Sequence, residues 1–211
     1  MINSIIFDLD GVLVFTDKFH YTAWKKMADS IGAYFDEEIN NRLRGVSRMD
    51  SLDIILERYE GEPLSFERKK ELAEKKNNYY RELLATLTED DVSAEVRNTL
   101  AELKKKGIRI AIGSSSKNAK FILGQVGLIG VFDAISDGTN ITHSKPDPEV
   151  FLKAAQFLGA DPSNCMVVED AEAGIDAAIA GGMYSAAIGD AVRCNKADYT
   201  LNSISDVLNV V

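Results

Sequence analysis

From residue 93 to residue 182 the chain alternates between two hydrophobic periods, and no other feature restricts its fold as strongly. "GIRIAIGSS" (107–115), "VFDAIS" (131–136) and "NCMVVED" (164–170) are short runs rich in Ile, Val and Phe, bounded by Gly, Asn or Asp as buried strands are. Helical patterns lie around them, over 93–106, 117–127, 146–159 and 171–182. In the first of these, Val96, Leu100 and Leu103 recur at helical spacing, and Lys104 to Lys106 end it where cations suit the helix dipole. Gly107, Gly127, Gly159 and Gly181 are placed to stop the helices. Strands separated by helices of this length run parallel, with helices on both faces. With "SIIFDLD" as the first strand, the expectation is a doubly wound α/β core over 1–16 and 88–211.

Residues 17–87 follow another rule. They carry no β-rich run and four helical stretches, over 18–32, 35–44, 49–60 and 66–87. His20, Trp24, Met27, Ala28 and Ile31 form one helical stripe, and Leu52, Ile55 and Leu56 another. This reads as an all-helical cap inserted after the first strand. An insert at that point belongs at the C-terminal ends of the strands, where open α/β folds bind their ligands, so a lid is expected.

The balance of charge excludes some partners. A net charge of −9 argues against a nucleic-acid surface, which favours basic residues. A small anion remains compatible, because a local cluster of cations outweighs distant acids. Two cysteines, Cys165 and Cys194, suggest no disulfide framework, and "MINSIIFDLD" has neither a basic region nor a long apolar stretch. The expectation is a cytoplasmic protein with no membrane partner.

Within the first strand, "IIFDLDGVLV" (5–14) interrupts an apolar run with two carboxylates. Side chains alternate along a strand, so Asp8 and Asp10 share one face at its C-terminal lip. Two carboxylates that close repel unless a cation or a shared proton relieves them. Mg²⁺, which favours carboxylate oxygens in octahedral geometry, is one solution, and an acid and a base with separated pKa values is another. Three further places have the same address. "IAIGSSSKN" ends a strand at Ser114, where hydroxyls and amide N–H groups hold phosphate, although Ser is also an ordinary helix cap. Lys145 precedes a proline-started helix and would neutralise phosphate charge. Glu169 and Asp170 end another strand and would supply metal oxygens, or simply begin a helix with acids.

Taken in order, Asp8-Leu9-Asp10-Gly11, the hydroxyl after the second strand, Lys145-Pro146 and Glu169-Asp170 resemble the haloacid dehalogenase-like superfamily of phosphotransferases. The likeness spans essentially the whole chain. "LRGVSRMDSL" (43–52), with His20 and Trp24 before it and "EKKNNYY" (74–80) after it, resembles the β-phosphoglucomutase branch. The resemblance implies that Asp8 is a nucleophile forming an aspartyl-phosphate and that Asp10 is the general acid and base. It implies Mg²⁺ held by Asp8, the Asp10 carbonyl and Asp170, with Glu169 assisting. It also gives Ser114 and Lys145 to the transferring phosphoryl group.

In the cap, Gly45-Val46-Ser47-Arg48 opens a helix, and Arg48 would clasp a second, non-reacting phosphate with paired hydrogen bonds. Thr16, Ser51, Ser115, Ser116, Asn118 and Lys76 are further substrate contacts by the same likeness, although Lys75-Lys76 leaves the register of the last open. On spacing alone His20 and Trp24 read as core. The resemblance gives His20 a part in coupling lid closure to Asp10 and sets Trp24 near the substrate. Two residues depart from the pattern: Phe15 stands where an acid is usual, and Arg44 where the branch has lysine, a non-equivalent exchange at a hydrogen-bonding site. The activity implied is a monomeric isomerase that interconverts β-glucose 1-phosphate and glucose 6-phosphate through a bisphosphate. A Mg²⁺-dependent sugar phosphatase is the alternative.

Overall fold

The computed structural model describes residues 1–43 and 46–211. In it β1 (Ser4–Phe7), β2 (Arg109–Gly113), β3 (Ala134–Ser136), β4 (Cys165–Glu169), β5 (Tyr184–Ala187) and β6 (Tyr199–Thr200) form an all-parallel sheet in the order β3-β2-β1-β4-β5-β6. Ile5, Ile6, Ile110, Ala111, Val167 and Val168 are fully buried, as expected of strands covered on both faces. The order in which strands are added reverses between β1 and β4, and that switch opens a crevice at the strands' C-terminal ends. Phe7 pairs with both Ile112 and Val168, so Asp8 comes level with Gly113 and Glu169.

The chain divides into two compact units, Met1–Phe15 with Leu87–Val211, and Thr16–Thr86. In the first, α5 (Ala94–Lys105), α6 (Ala119–Gln125), α7 (Glu149–Leu158) and α8 (Glu172–Ala180) accompany the sheet. On one face Val150, Phe151, Ala154 and Ala155 of α7 pack with Ile6, Ala111, Val167, Ala177 and Ala178. Gly113 carries no side chain because Phe151 lies where its Cβ would be, 2.5 Å from the ring.

The second unit holds α1 (Asp17–Asp29), α2 (Glu37–Asn41), α3 (Arg48–Leu56) and α4 (Phe66–Leu84). Trp24, Met27, Ala28, Leu52, Ile55, Leu72 and Ala73 make its core. Asp36, Ser47 and Ser65 cap α2, α3 and α4 by accepting from Ile39, Asp50 and Arg68 amides, each cap worth about 1 kcal/mol. Arg44 and Gly45 lie outside the described residues.

Several boundaries differ from the sequence reading. β5 falls in "MYSAAIG", four residues too short and too rich in alanine to stand out. α2 is half the expected stretch, because Asn40-Asn41 are weak helix formers. Gly181 keeps a helical φ of −80°, and Gly182, at φ +68°, takes the left-handed turn instead. The tail adds β6 and a 3-10 helix over Ile204–Asn209.

Candidate active site

β1 delivers the first carboxylate by continuing its ladder one step, the Asp8 N–H donating to the Val168 carbonyl at 2.9 Å. Beyond it the backbone turns: Gly11 N–H donates to Val14 O at 2.8 Å and Val14 N–H to Leu9 O at 3.1 Å. Gly11 has φ +91°, and a Cβ there would sit 2.2 Å from Asp170 Oδ2. Only glycine meets both conditions, and that close approach brings Asp170, one residue past β4, against the Asp8–Gly11 turn.

Lys145 enters from the loop before α7, across a cis peptide bond to Pro146. Its Nζ donates to Asp8 Oδ1 and Glu169 Oε1, both at 2.5 Å, and lies 4.7 Å from the Phe151 ring centre. All three ionic side chains are buried. Glu169 is fixed from every side: Oε2 accepts from Ala171 N–H at 2.9 Å, and Gly174 leaves room for its Cδ, 2.0 Å from where a Cβ would be.

The electrostatics follow from this burial. Desolvation pushes the Asp8 pKa well above the ordinary range; Lys145 pulls it back, and Glu169, Asp170 and Asp10 push it further up. Burial alone would lower Lys145, but the Asp8 and Glu169 carboxylates outweigh it and hold the ammonium above the usual lysine range. A buried aspartate facing three more acids and a single lysine has an excess of negative charge. That excess, with an all-oxygen donor set at the Asp8 turn and Asp170, fits a hard divalent cation.

At the end of β2 the hydroxyls fold onto their own loop. Ser114 N–H donates to Ser136 O at 3.1 Å, and Ser114 Oγ accepts from Ser116 N–H at 3.2 Å, which leaves the hydroxyl proton to donate. Ser116 Oγ likewise accepts from Asn118 N–H at 3.2 Å. Ser115 Oγ is buried and has no hydrogen-bond partner among the described residues.

In the helical unit a second polar cluster surrounds α4. Lys76 is 3% exposed, with Nζ 3.0 Å from His20 Nδ1 and 4.8 and 4.5 Å from the ring centres of Trp24 and Tyr80. An ammonium only donates, so His20 Nδ1 accepts and the ring proton resides on Nε2. Burial lowers the His20 pKa well below its usual value, and Lys76 and Arg48 lower it further, so the imidazole is neutral. The Tyr80 hydroxyl donates to Thr16 Oγ1 at 3.2 Å. Arg48, the first residue of α3, donates from Nη2 to Asn77 Oδ1 at 2.8 Å, with Nη1 3.4 Å from Glu74 Oε2.

A family model for haloacid dehalogenase-like hydrolases matches residues 2–182. The chain belongs to the haloacid dehalogenase-like hydrolase family. It is 39% identical to β-phosphoglucomutase of Bacillus subtilis over 206 residues, covering 97% of this chain and 91% of that one. It is 30% identical to a phosphorylated carbohydrates phosphatase of Thermotoga maritima over 182 residues, covering 85% and 82%. Among solved structures, a β-phosphoglucomutase from Clostridium difficile superposes with a TM-score of 0.91 at 40% identity, covering 98% and 93%.

Of the family-motif residues read from sequence, Asp8, Lys145 and Glu169 form one buried ion cluster, with Asp170 against the Asp8–Gly11 turn. Glu169, which the resemblance has assisting a metal, accepts from Lys145 through one oxygen and from the Ala171 N–H through the other. Among the described residues the three ligand-type side chains gathered within 4.8 Å are elsewhere: His143, Asp147 and Glu149. There Glu149 is already saturated by Thr142, His143 and Lys153. In the helical unit Trp24 is buried against Lys76, Ser47 caps α3, and the buried Ser51 donates its N–H to Ser47 O at 2.8 Å. Val46 leads into α3 half-buried, and the register left open resolves to Lys76, since Lys75 points to Ser30. Glu74, Asn77 and Tyr80 fall within the segment 74–80 that carries the resemblance, but sequence reasoning assigned them no individual role. The spacing of Glu74 and Asn77 on one helix was visible; their shared partner, Arg48, is 26 and 29 positions away.

Proposed function

We propose that this chain is a β-phosphoglucomutase, interconverting β-glucose 1-phosphate and glucose 6-phosphate through glucose 1,6-bisphosphate. The observation that carries the reading is a buried or half-buried cation in each unit, Lys145 in one and Arg48 in the other, each suited to an anion. Lys145 stands beside the buried carboxylate proposed as the nucleophile, and Arg48 stands at a helix N-terminus. A bisphosphate intermediate requires both, whereas simple hydrolysis requires one. Likeness to β-phosphoglucomutases over nearly the full chain supports the same activity.

Asp8 attacks one phosphorus of bound glucose 1,6-bisphosphate, the bond to the sugar oxygen breaks, and an aspartyl-phosphate and a glucose monophosphate form. Asp10 protonates the departing oxygen and later takes the proton from a hydroxyl of the incoming glucose monophosphate, which attacks the phosphoryl group, regenerates the bisphosphate and frees Asp8. Lys145 and the Ser114 hydroxyl hold the transferring oxygens, whose charge must be met in the transition state. Glu169 keeps the Lys145 ammonium beside Asp8. Mg²⁺, held by Asp8, the Asp10 carbonyl and Asp170, would keep Asp8 ionised despite its burial and neutralise phosphoryl charge. Arg48, with Val46, Ser47 and Ser51 around it and Arg44 and Gly45 before it, takes the non-reacting phosphate. His20, Trp24, Lys76 and Thr16 of the helical unit, and Ser115, Ser116 and Asn118 of the loop after β2, are the proposed substrate contacts. A monomer in the cytoplasm, acting on a phosphosugar and not on nucleic acid, suits the acidic surface. No described helix is long and apolar enough to cross a membrane.

The likeness to a carbohydrate phosphatase supplies the second reading, hydrolysis by the same Asp8 and Asp10. Incubation with Mg²⁺, β-glucose 1-phosphate and a trace of glucose 1,6-bisphosphate separates them. Glucose 6-phosphate without matching free phosphate is expected, and stoichiometric phosphate release would establish the hydrolase instead. Asp8→Asn is expected to abolish transfer. Arg48→Ala should lower mutase turnover by about tenfold or more relative to hydrolysis of a simple ester, the scale of a charged hydrogen bond.

A further inference from the structure

Arg48 does not stand alone at the start of α3. Nη2 donates to Asn77 Oδ1 at 2.8 Å, Nη1 lies 3.4 Å from Glu74 Oε2, and Asn77 Nδ2 donates to Glu74 Oε1 at 3.4 Å. The three side chains close a ring, and both partners come from α4, three residues apart on one face. They differ in kind. Asn77 is buried and neutral, whereas the Glu74 side chain is 62% exposed and charged. Arg48 itself is 27% exposed, half out of water, where an anionic partner counts for more than at an open surface.

We propose that Asn77 is the positioning residue that aims Arg48 at the second, non-reacting phosphate, and that Glu74 is a competing anion which this phosphate displaces. The inference rests on the reading of Arg48 given above and deepens it. A neutral carbonyl fixes one edge of the guanidinium without neutralising it, and the planar fork then holds its remaining N–H groups in a set direction. Glu74, long, mostly in solvent and at 3.4 Å, is the partner that leaves cheaply. While it stays, it holds Arg48 in place and weakens the grip on any incoming phosphate. A grip of moderate strength suits an intermediate that must release one phosphate, turn and bind again.

The experiment compares Glu74→Gln, Asn77→Asp and Asn77→Ala with Arg48→Ala. Each is assayed for mutase kinetics on β-glucose 1-phosphate and for hydrolysis of p-nitrophenyl phosphate, which carries one phosphate. Glu74→Gln is expected to lower KM by about two- to threefold, the scale of an exposed ion pair. That gain should shrink in about 0.5 M NaCl, which screens such charges and would not alter a purely structural effect. Asn77→Asp puts a carboxylate where the amide oxygen stands. It should raise KM about tenfold and lower the ratio of mutase to hydrolysis towards that of Arg48→Ala, with Asn77→Ala between it and the unmodified protein. If Arg48→Ala raises KM while Glu74→Gln and Asn77→Asp do not move it, the inference is overturned and the reading of Arg48 survives. If Arg48→Ala damages both assays equally, that reading falls and the inference with it. Should the Asn77 variants fail to fold, Glu74→Gln decides alone, because its side chain lies in solvent: an unchanged KM overturns the proposal.

Discussion

Gly11 shows how much one residue can decide. Its left-handed φ and the 2.2 Å between its missing Cβ and Asp170 Oδ2 allow a turn after β1 to meet a carboxylate from the end of β4. Gly11→Ala therefore meets two obstacles at once, a strained backbone of about 1–3 kcal/mol and displacement of Asp170. The expected result is lower stability in denaturant unfolding, with phosphoryl transfer reduced far more than stability alone would explain. A variant that folds less stably but turns over normally would show that the approach of Asp170 is structural only. At this scale the sequence was most informative about Asp8, Asp10, Lys145 and Asp170, because a charge at the end of an apolar strand is costly to hold there without a partner ion or ligand. It was least informative about Glu169. Two adjacent acids look alike on paper, and only packing shows that Glu169 is locked to Lys145 and Ala171 while Asp170 faces Gly11.

Among elements, α7 has a task beyond covering the sheet. Its first residue, Glu149, accepts from the Thr142 and His143 amides at 2.8 and 2.7 Å and from Lys153 at 2.6 Å, tying the loop that carries Lys145 to the helix start. Lys153 and these amides hold the Glu149 pKa far below its ordinary value of 4.5. A carboxylate with a depressed folded pKa stabilises fully above its unfolded pKa, and the contribution fades as pH falls below it. The melting temperature of Glu149→Gln should thus lie below that of the unmodified protein at neutral pH. The gap should close as the pH is lowered from about 5 towards 2, and a gap independent of pH would refute this origin for it. Elements with a strong period were legible: α5 and α7 stand where Val96, Leu100 and Leu103, and Val150 and Phe151, put them. β5 was not, because Tyr184-Ser185-Ala186-Ala187 is too short to carry a period and is held as strand by pairing with β4 and β6.

Over the whole molecule, the C-terminal residues act as a clasp. Val207 is fully buried, Lys106 donates to the carbonyls of Leu208 and Val211 at 2.8 and 3.0 Å, and Glu95 accepts from Ser205 Oγ at 2.7 Å. Val207→Ala is expected to cost roughly 2 kcal/mol of stability, two buried methyl groups, without changing kcat. A change in kcat at constant stability would connect the tail to the chemistry. Alternating periods and an uninterrupted helical insert made the doubly wound core and the cap readable, since periodicity is a local property of the chain. So was the order of acids and hydroxyl just past β1, β2 and β4, where the sheet's direction fixes their address, while Lys145 comes from the loop before α7. Tertiary structure alone decided which acid grips Lys145, which nitrogen of His20 accepts, and that Asn77 and Glu74 meet Arg48. Such pairings join residues tens of positions apart, and the distances between side chains that settle them exist only once the chain has packed.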